Sequence, residues 1–359
     1  MIAFQELFQK IRSQYENGLP FVAYALPSND EVVCLLQEND HVYTANHFSE
    51  NGFVFAPFNV GDTLFLPESH IESLSASISD VKSVPFGIHS EMDISEKETY
   101  NTLLEKAISF ISEGNASKIV TSRTSKFSLH NFDLKLLLER VMALYPMAFR
   151  YVWFHPESGL WCGASPEILI TTKGNKFETM ALAGTLLYEP DLPPQWTKKE
   201  INEQKWVVDA LTDNLEKVSS ILEISEVYDH KAGSLVHLRT DFSGTLKQDG
   251  KGLAALVDSL HPTPAICGTP KDVAKKFILE NEDYDRSFYS GFLGPIDLET
   301  GYSQLFVNLR CMKIDDGMAN LYVGGGITKD SRPEDEFLET ENKLETMRQV
   351  IAPMIQPNN

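Results

Sequence analysis

Two stretches of this chain put paired carboxylates on one helical face. The first runs Thr197-Lys-Lys-Glu200-Ile-Asn-Glu203, the second Ser331-Arg-Pro-Glu334-Asp-Glu336-Phe-Leu-Glu339-Thr-Glu-Asn-Lys343. Residues three or four apart share a helix face, so Glu200 sits with Glu203, and Glu336 with Glu339 and Lys343. Thr197 with Glu200, and Ser331 with Glu334, have capping-box spacing. Two such helices can hold one hard cation such as Mg2+, which takes few carboxylates and keeps oxygens from water or substrate. The same residues also suit solvated helix starts, because acidic side chains favour the positive end of the helix dipole. On that reading Glu339–Lys343 is a surface ion pair.

Other residues have chemistry to offer. Lys118 opens the apolar run Lys118-Ile-Val-Thr-Ser-Arg123. Desolvation disfavours the charged form of a lysine, so a lysine in a dry site can act as a general base; a solvated strand end is the alternative. Glu167 interrupts the apolar run Trp161–Ile170. Burial there would raise its pKa and suit it to general-acid work, whereas an outward-facing position would leave it inert. Gly163-Ala-Ser165 is not a nucleophile elbow, since Glu167 stands where that motif needs glycine. Arg310, in Val307-Asn-Leu-Arg-Cys311, can clamp a carboxylate through two hydrogen bonds or lie on a strand surface. The proline-rich loop Leu260–Pro270 is stiff enough to shape a pocket. Gly324-Gly325-Gly326 offers backbone N–H groups to an anion.

Elements must position these groups. Apolar periodicity predicts helices over 98–112, 132–144, 197–222, 251–260 and 271–279, and another after Ser331. Strands are predicted at 118–124, 151–154, 161–170, 306–312 and 320–323. Mixed helices and strands point to a large α+β or α/β fold on antiparallel or mixed sheets. Within one domain over 1–359, a strand-rich N-terminal portion (1–94) precedes a chemical core (95–353). Only three basic residues, Lys10, Arg12 and Lys82, precede residue 91.

Composition narrows the function. The 359 residues are 42% apolar and 23% charged, ordinary for a folded soluble chain. Lys and Arg total 31 against 51 Asp and Glu, a net charge of −20, which argues against nucleic acid or an anionic membrane as partner. A small anionic substrate stays compatible, because a pocket or a bound metal can reverse the local sign. No apolar run approaches the ~18–20 residues of a membrane helix. The N-terminus reads as an amphipathic helix rather than a signal peptide. Four cysteines without a CxxC pair fit a reduced cytoplasmic setting.

The motifs occur in an informative order. Lys118-Ile-Val-x-Ser-Arg123 comes first, then Gly163-Ala-Ser-Pro-Glu167, Leu182-Ala-Gly-Thr185, Lys199-Glu-x-x-Glu203 and His261-Pro-Thr-Pro-Ala265. Asp285-Arg-x-Phe-Tyr-x-Gly291, Arg310-Cys, Gly324-x-Gly-Ile327 and Glu336-x-x-Glu-Thr-x-x-Lys343 follow. The set resembles the chorismate-utilising enzymes (isochorismate, salicylate, anthranilate and aminodeoxychorismate synthases) over residues 95–353. The resemblance implies the anthranilate synthase component I-like fold, with two packed β-sheets, helices outside, and a Mg2+-dependent site. It implies Glu203 and Glu339 as direct metal ligands, with Glu200 and Glu336 acting directly or through water. Arg310, Tyr289 and the backbone of Gly324 and Gly326 would hold the enolpyruvyl carboxylate of chorismate. Thr185, Lys343 and the loop residues His261, Thr263 and Ala265 would help place the substrate.

The nucleophile separates the members. The amine-forming relatives carry Gln at the Lys118 position, so Lys118 points to a water-using member in which Lys118 is the base and Glu167 the acid. Aminodeoxychorismate synthases often carry a lysine where this chain has Ala183. The His261–Gly268 loop resembles isochorismate synthases more than salicylate synthases. The expectation is therefore isochorismate synthesis, for menaquinone first and a catechol siderophore second, by a cytoplasmic monomer without an amidotransferase subunit. Salicylate synthesis, an amine-forming synthase and a non-catalytic relative are the competing readings. One departure from the family pattern stands beside the metal helix: Gln204 replaces the usual His.

Overall fold

Apolar strands of this chain pair into two antiparallel sheets that pack face to face. The computed structural model describes residues 1–45, 48–59, 61–78, 94–190, 192–232, 235–247 and 252–355. The expected boundary at residue 94 borders residues 79–93, which include Lys82 and lie outside the described set, as does Lys251.

The first sheet runs in spatial order Gly268–Thr269, Lys118–Ser128, Met318–Ile327, Cys311–Asp315, Gly159–Ser165, Phe149–His155, Phe21–Ala25, Glu31–Gln37 and Ile71–Ser77. The second runs Ser219–Ile224, Leu235–Leu246, Lys176–Leu187, Ile168–Lys173, Tyr302–Val307, Phe292–Asp297, Gly52–Ala56, Leu64–Pro67 and Tyr43–Thr44. Tyr228–Ala232 adds a short pairing to Leu235–Leu246. Each sheet takes strands from both ends of the chain.

Alternation explains the layering. Burial alternates along Met318–Ile327, which sends Ala319, Leu321 and Val323 to one face and leaves Tyr322 on the other. Between the sheets lies an aromatic core of Phe53, Phe55, Phe149, Tyr151, Trp153, Trp161 and Phe306. Phe149 of the first sheet stacks on Phe306 of the second at 4.1 Å between centroids. Helices Phe4–Glu16, Leu134–Leu144 and Pro333–Ile351 cover the outer face of the first sheet. Lys198–Val218 and Gly252–Leu260 cover the second. Ile94–Ser112 and Lys271–Asn281 pack on Ile119 and Ile327. Among the described residues no helix is long and apolar enough to cross a membrane. The four cysteines are buried free thiols.

The α+β class follows the sequence; four local expectations do not. The run Trp161–Ile170 is two strands, Gly159–Ser165 and Ile168–Lys173, in different sheets. The run Phe306–Met312 likewise splits into Tyr302–Val307 and Cys311–Asp315. The helix expected over 197–222 ends at Val218, because Ser219–Ile224 joins the second sheet. Ser331 does not cap the last helix. Arg332 is the N-cap and Pro333 opens the first turn, while the Ser331 hydroxyl accepts from Thr328 N at 3.0 Å.

Candidate active site

Where the chain changes sheets, it builds a pocket. It crosses at Pro166–Glu167 and again at Asn308–Arg310. Proline has no N–H to give a central ladder, which suits it to such a break. Arg310 adopts the left-handed region at φ 47°. The crossings are stitched together: Ser165 Oγ donates to Val307 O (2.5 Å), Val307 N to Glu167 O (3.0 Å) and Ala164 N to Arg310 O (3.0 Å). Glu167 and Arg310 thereby line one cleft, partly open to solvent.

Glu167 is buried, and burial pushes its carboxyl up to about 7, against the opposing pull of Lys118, Lys343 and Arg310. It can therefore carry a proton at neutral pH and give it up. Burial pulls the Arg310 guanidinium down. It donates to Thr346 Oγ1 at 3.4 Å, and among the described residues no ion pair involves it. A cation facing a cleft without a carboxylate partner is suited to an anionic ligand.

The acidic helices meet at the same cleft. The capping box of the first is present: Glu200 Oε2 accepts from Thr197 N at 2.9 Å and from Thr197 Oγ1 at 2.6 Å. Glu203, Glu336 and Glu339 each hold a lysine. Lys118 Nζ is 2.8 Å from Glu203 Oε1, Lys343 Nζ is 2.6 Å from Glu339 Oε1, and Lys199 bonds Glu336 Oε1. Lys118 is 1% exposed. Burial raises the Glu336 carboxyl, with Glu339 adding to the effect. Burial also pushes on Glu339, but Lys343 and Lys199 outweigh it and hold that carboxyl low.

Glycines make this convergence possible. A Cβ on Gly326 would lie 2.3 Å from Glu203 Oε1 and 2.7 Å from Lys118 Cε, so no side chain fits there. A Cβ on Gly325 would lie 3.7 Å from Glu336 Oε2 and 3.8 Å from Glu339 Oε1. Gly184, at φ +75°, lets the Lys176–Leu187 strand bulge against the backbone of Glu200. Glu336 Oε2 is buried and accepts no hydrogen bond among the described residues. Among the described residues no three His, Cys, Asp or Glu side chains are grouped so as to hold a metal ion, Glu203, Glu336 and Glu339 each being paired with a lysine; the unpartnered Glu336 Oε2 is the hard donor left over that suits a small divalent cation.

Of the residues singled out from the sequence, Glu167, Thr185, Glu203, Ala265, Tyr289, Arg310, Gly324, Gly326, Glu339 and Lys343 line the cleft. Lys118, Glu200 and Glu336 do not line it: Lys118 is paired with Glu203 of the lining, while Glu200 and Glu336 lie against the lining glycines Gly184 and Gly325. His261 and Thr263 do not line it, although the sequence placed them with the substrate. The His261 ring reaches Pro57 O at 3.2 Å and packs edge-on against Phe292, and burial lowers its pKa to about 4. The loop turns inward at Thr263, whose backbone oxygen accepts from Ile266 N and Cys267 N, leaving Ala265 and Ile266 on the cleft.

The sequence reading missed His237. It lines the cleft opposite Thr185, with Nδ1 3.2 Å from Thr185 Oγ1 and 3.1 Å from Gly184 O. Burial, with Arg310 and Lys343 adding, lowers it to about 3, so it is a neutral imidazole whose Nε2 is buried without a partner. Its signal was a lone polar ring in the run Leu235-Val-His-Leu238. Gln204 faces away from the cluster, donating to Ala181 O at 3.1 Å and Thr240 Oγ1 at 3.4 Å, which ties the helix to the second sheet.

Two antiparallel sheets with outer helices, and a cleft that joins cationic side chains to paired glutamates, define a class of enzymes acting on small anionic substrates. This chain belongs to the chorismate binding enzyme family, whose model matches residues 62–352. It is 30% identical to isochorismate synthase EntC of Escherichia coli strain K12 over 305 residues, covering 81% of this chain and 78% of that one. It is 31% identical to isochorismate synthase DhbC of Bacillus subtilis strain 168, covering 72% and 69%. The structure of MenF, the menaquinone-specific isochorismate synthase from Escherichia coli, superposes with a TM-score of 0.77 at 22% identity, over 92% of this chain and 88% of that one.

Proposed function

We propose that the protein is an isochorismate synthase. The observation that carries this reading is Lys118, a buried lysine held by Glu203 of the cleft lining, where the amine-forming relatives carry Gln. Arg310, with Tyr289 and the Gly324–Gly326 backbone, takes the enolpyruvyl carboxylate of chorismate. Lys118 is the base of the proposed step: with its amine unprotonated, it takes the proton of a water whose oxygen adds to C2. The ring double bond shifts, the C4–O bond breaks, and Glu167 gives its proton to the departing hydroxyl, which leaves as water. One water enters and one leaves, so the product is an isomer of the substrate. Thr185 and Lys343 help place the ring, while Glu339 and Gly324 O hold Lys343 in position.

Glu203 and Glu339 are the direct ligands proposed for Mg2+, with Glu200 and Glu336 acting directly or through water. When bound, Mg2+ anchors the ring carboxylate and offsets its charge. We propose menaquinone synthesis as the use of the product, because it is the widespread one, with a catechol siderophore as the second reading. Deleting the gene in its host would overturn that assignment if menaquinone stayed level and a catechol siderophore disappeared.

Product analysis tests the activity. Purified protein is incubated with chorismate, with and without Mg2+, and the products are separated by liquid chromatography. Isochorismate in equilibrium with chorismate, only with Mg2+, is expected. Salicylate with equimolar pyruvate would move the protein to the lyase branch. Turnover that requires ammonia would move it to the amine-forming branch, and absence of turnover would mark a non-catalytic relative.

A further inference from the structure

Lys199 belongs to the first turn of the first acidic helix, yet its ammonium reaches the second. It bonds Glu336 Oε1, and the charges of Glu339 and Glu203 act on it as well. Glu336 is 1% exposed and Lys199 is 21% exposed on its side chain, so the pair is shielded on the carboxylate side and reachable from the lysine side. The three converging glutamates are thus matched by three lysines: Lys118 on Glu203, Lys343 on Glu339 and Lys199 on Glu336. Lys118 leaves a strand of the first sheet and is buried, while Lys343 is also anchored to Gly324 O at 3.0 Å. Among the described residues Lys199 has no such second anchor: it donates to Glu336 alone.

We propose that Lys199 is a resident counter-ion of the carboxylate cluster, which a divalent cation must displace from Glu336 in order to bind. This rests on the magnesium reading above. A flexible four-carbon stem lets an ammonium swing out of a site without disturbing the helix that carries it. With Lys199 in place the glutamates are charge-compensated, and a free cation gains little by entering. With Lys199 displaced, both oxygens of Glu336 become available beside Glu339. Lys199 is therefore a positioning residue that sets how tightly the metal is held, and it takes no part in proton transfer.

Calorimetric titration of Mg2+ into the full chain without chorismate tests this, comparing the natural protein with Lys199→Met. The methionine keeps the stem and removes the charge. Affinity should rise roughly tenfold, equivalent to about 1.4 kcal/mol. The melting temperature of the variant should also respond more to Mg2+ than that of the natural protein. Lys199→Arg, which keeps the charge, should bind Mg2+ as weakly as the natural protein. If the methionine variant does not fold, Lys199→Gln carries the same test. Equal or weaker Mg2+ affinity in the neutral variant overturns the counter-ion role while leaving the metal site standing. If neither protein binds Mg2+, with or without chorismate, the magnesium reading falls and the counter-ion role falls with it.

Discussion

Replacing Glu167 with glutamine should trade activity for stability, in opposite directions at alkaline pH. Burial holds the Glu167 carboxyl at about 7, against its ordinary value of 4.5. Between those values the folded chain keeps a proton that the unfolded chain has released. Raising the pH through this window therefore costs the fold stability, and the cost is complete above pH 7. Each unit of separation is worth about 1.4 kcal/mol, so the whole cost is roughly 3 kcal/mol. Glutamine has no charge to bury and escapes it. In urea unfolding at pH 5 and pH 8, the variant should gain roughly 2–3 kcal/mol on the natural protein as the pH rises. Its turnover of chorismate should fall by roughly 10²–10⁴-fold, because an amide cannot protonate a leaving hydroxyl. Above pH 7 the natural kcat should decline about tenfold per unit, and the residual rate of the variant should lack that limb. Turnover within a few-fold of normal, or the same change of stability with pH in both proteins, would refute the reasoning.

Arg310→Met should lower kcat/KM for chorismate by roughly 10–100-fold, the loss expected for a charge-assisted pair, with most of it in KM; steady-state kinetics at saturating Mg2+ would show it, and an unchanged KM would remove the arginine from carboxylate binding. Gly326→Ala puts a methyl 2.3 Å from Glu203 Oε1 and should abolish turnover while the circular dichroism spectrum stays native. Phe149→Ala removes a fully buried ring from the stack between the sheets and should cost roughly 3–5 kcal/mol in urea unfolding.

Much of the site was legible in order and type, because each motif combines a chemistry-bearing residue with a local pattern. Lys118 heads a β-branched run, and Glu336, Glu339 and Lys343 follow helical spacing. The crossings were not legible. A run such as Trp161–Ile170 stays apolar on both sides of Pro166, and hydrophobicity does not record which sheet a strand joins. The end of the first acidic helix was hidden for a similar reason: Ser219–Ile224 is drawn into strand form by pairing with Leu235–Leu246, a tertiary preference that overrides local pattern. His237 escaped because its strand was not read. His261 and Thr263 were read from a loop whose sequence says that it is stiff and leaves its inward turn unspecified.

The sharing of strands between distant parts of the chain also bears on the order in which this enzyme becomes active during synthesis. Ser122 pairs with Gly324, and Ala56 with Phe292. The base and the acid of the proposed reaction emerge from the ribosome well before Arg310 and the helix that carries Glu336 and Glu339. Contacts this distant in sequence are slow to close. A nascent chain stalled before residue 311 lacks the strands that seat Lys118 against the glycine run, so no cleft exists to bind substrate. Activity should therefore switch on late, once the helix that carries Glu336 and Glu339 has emerged.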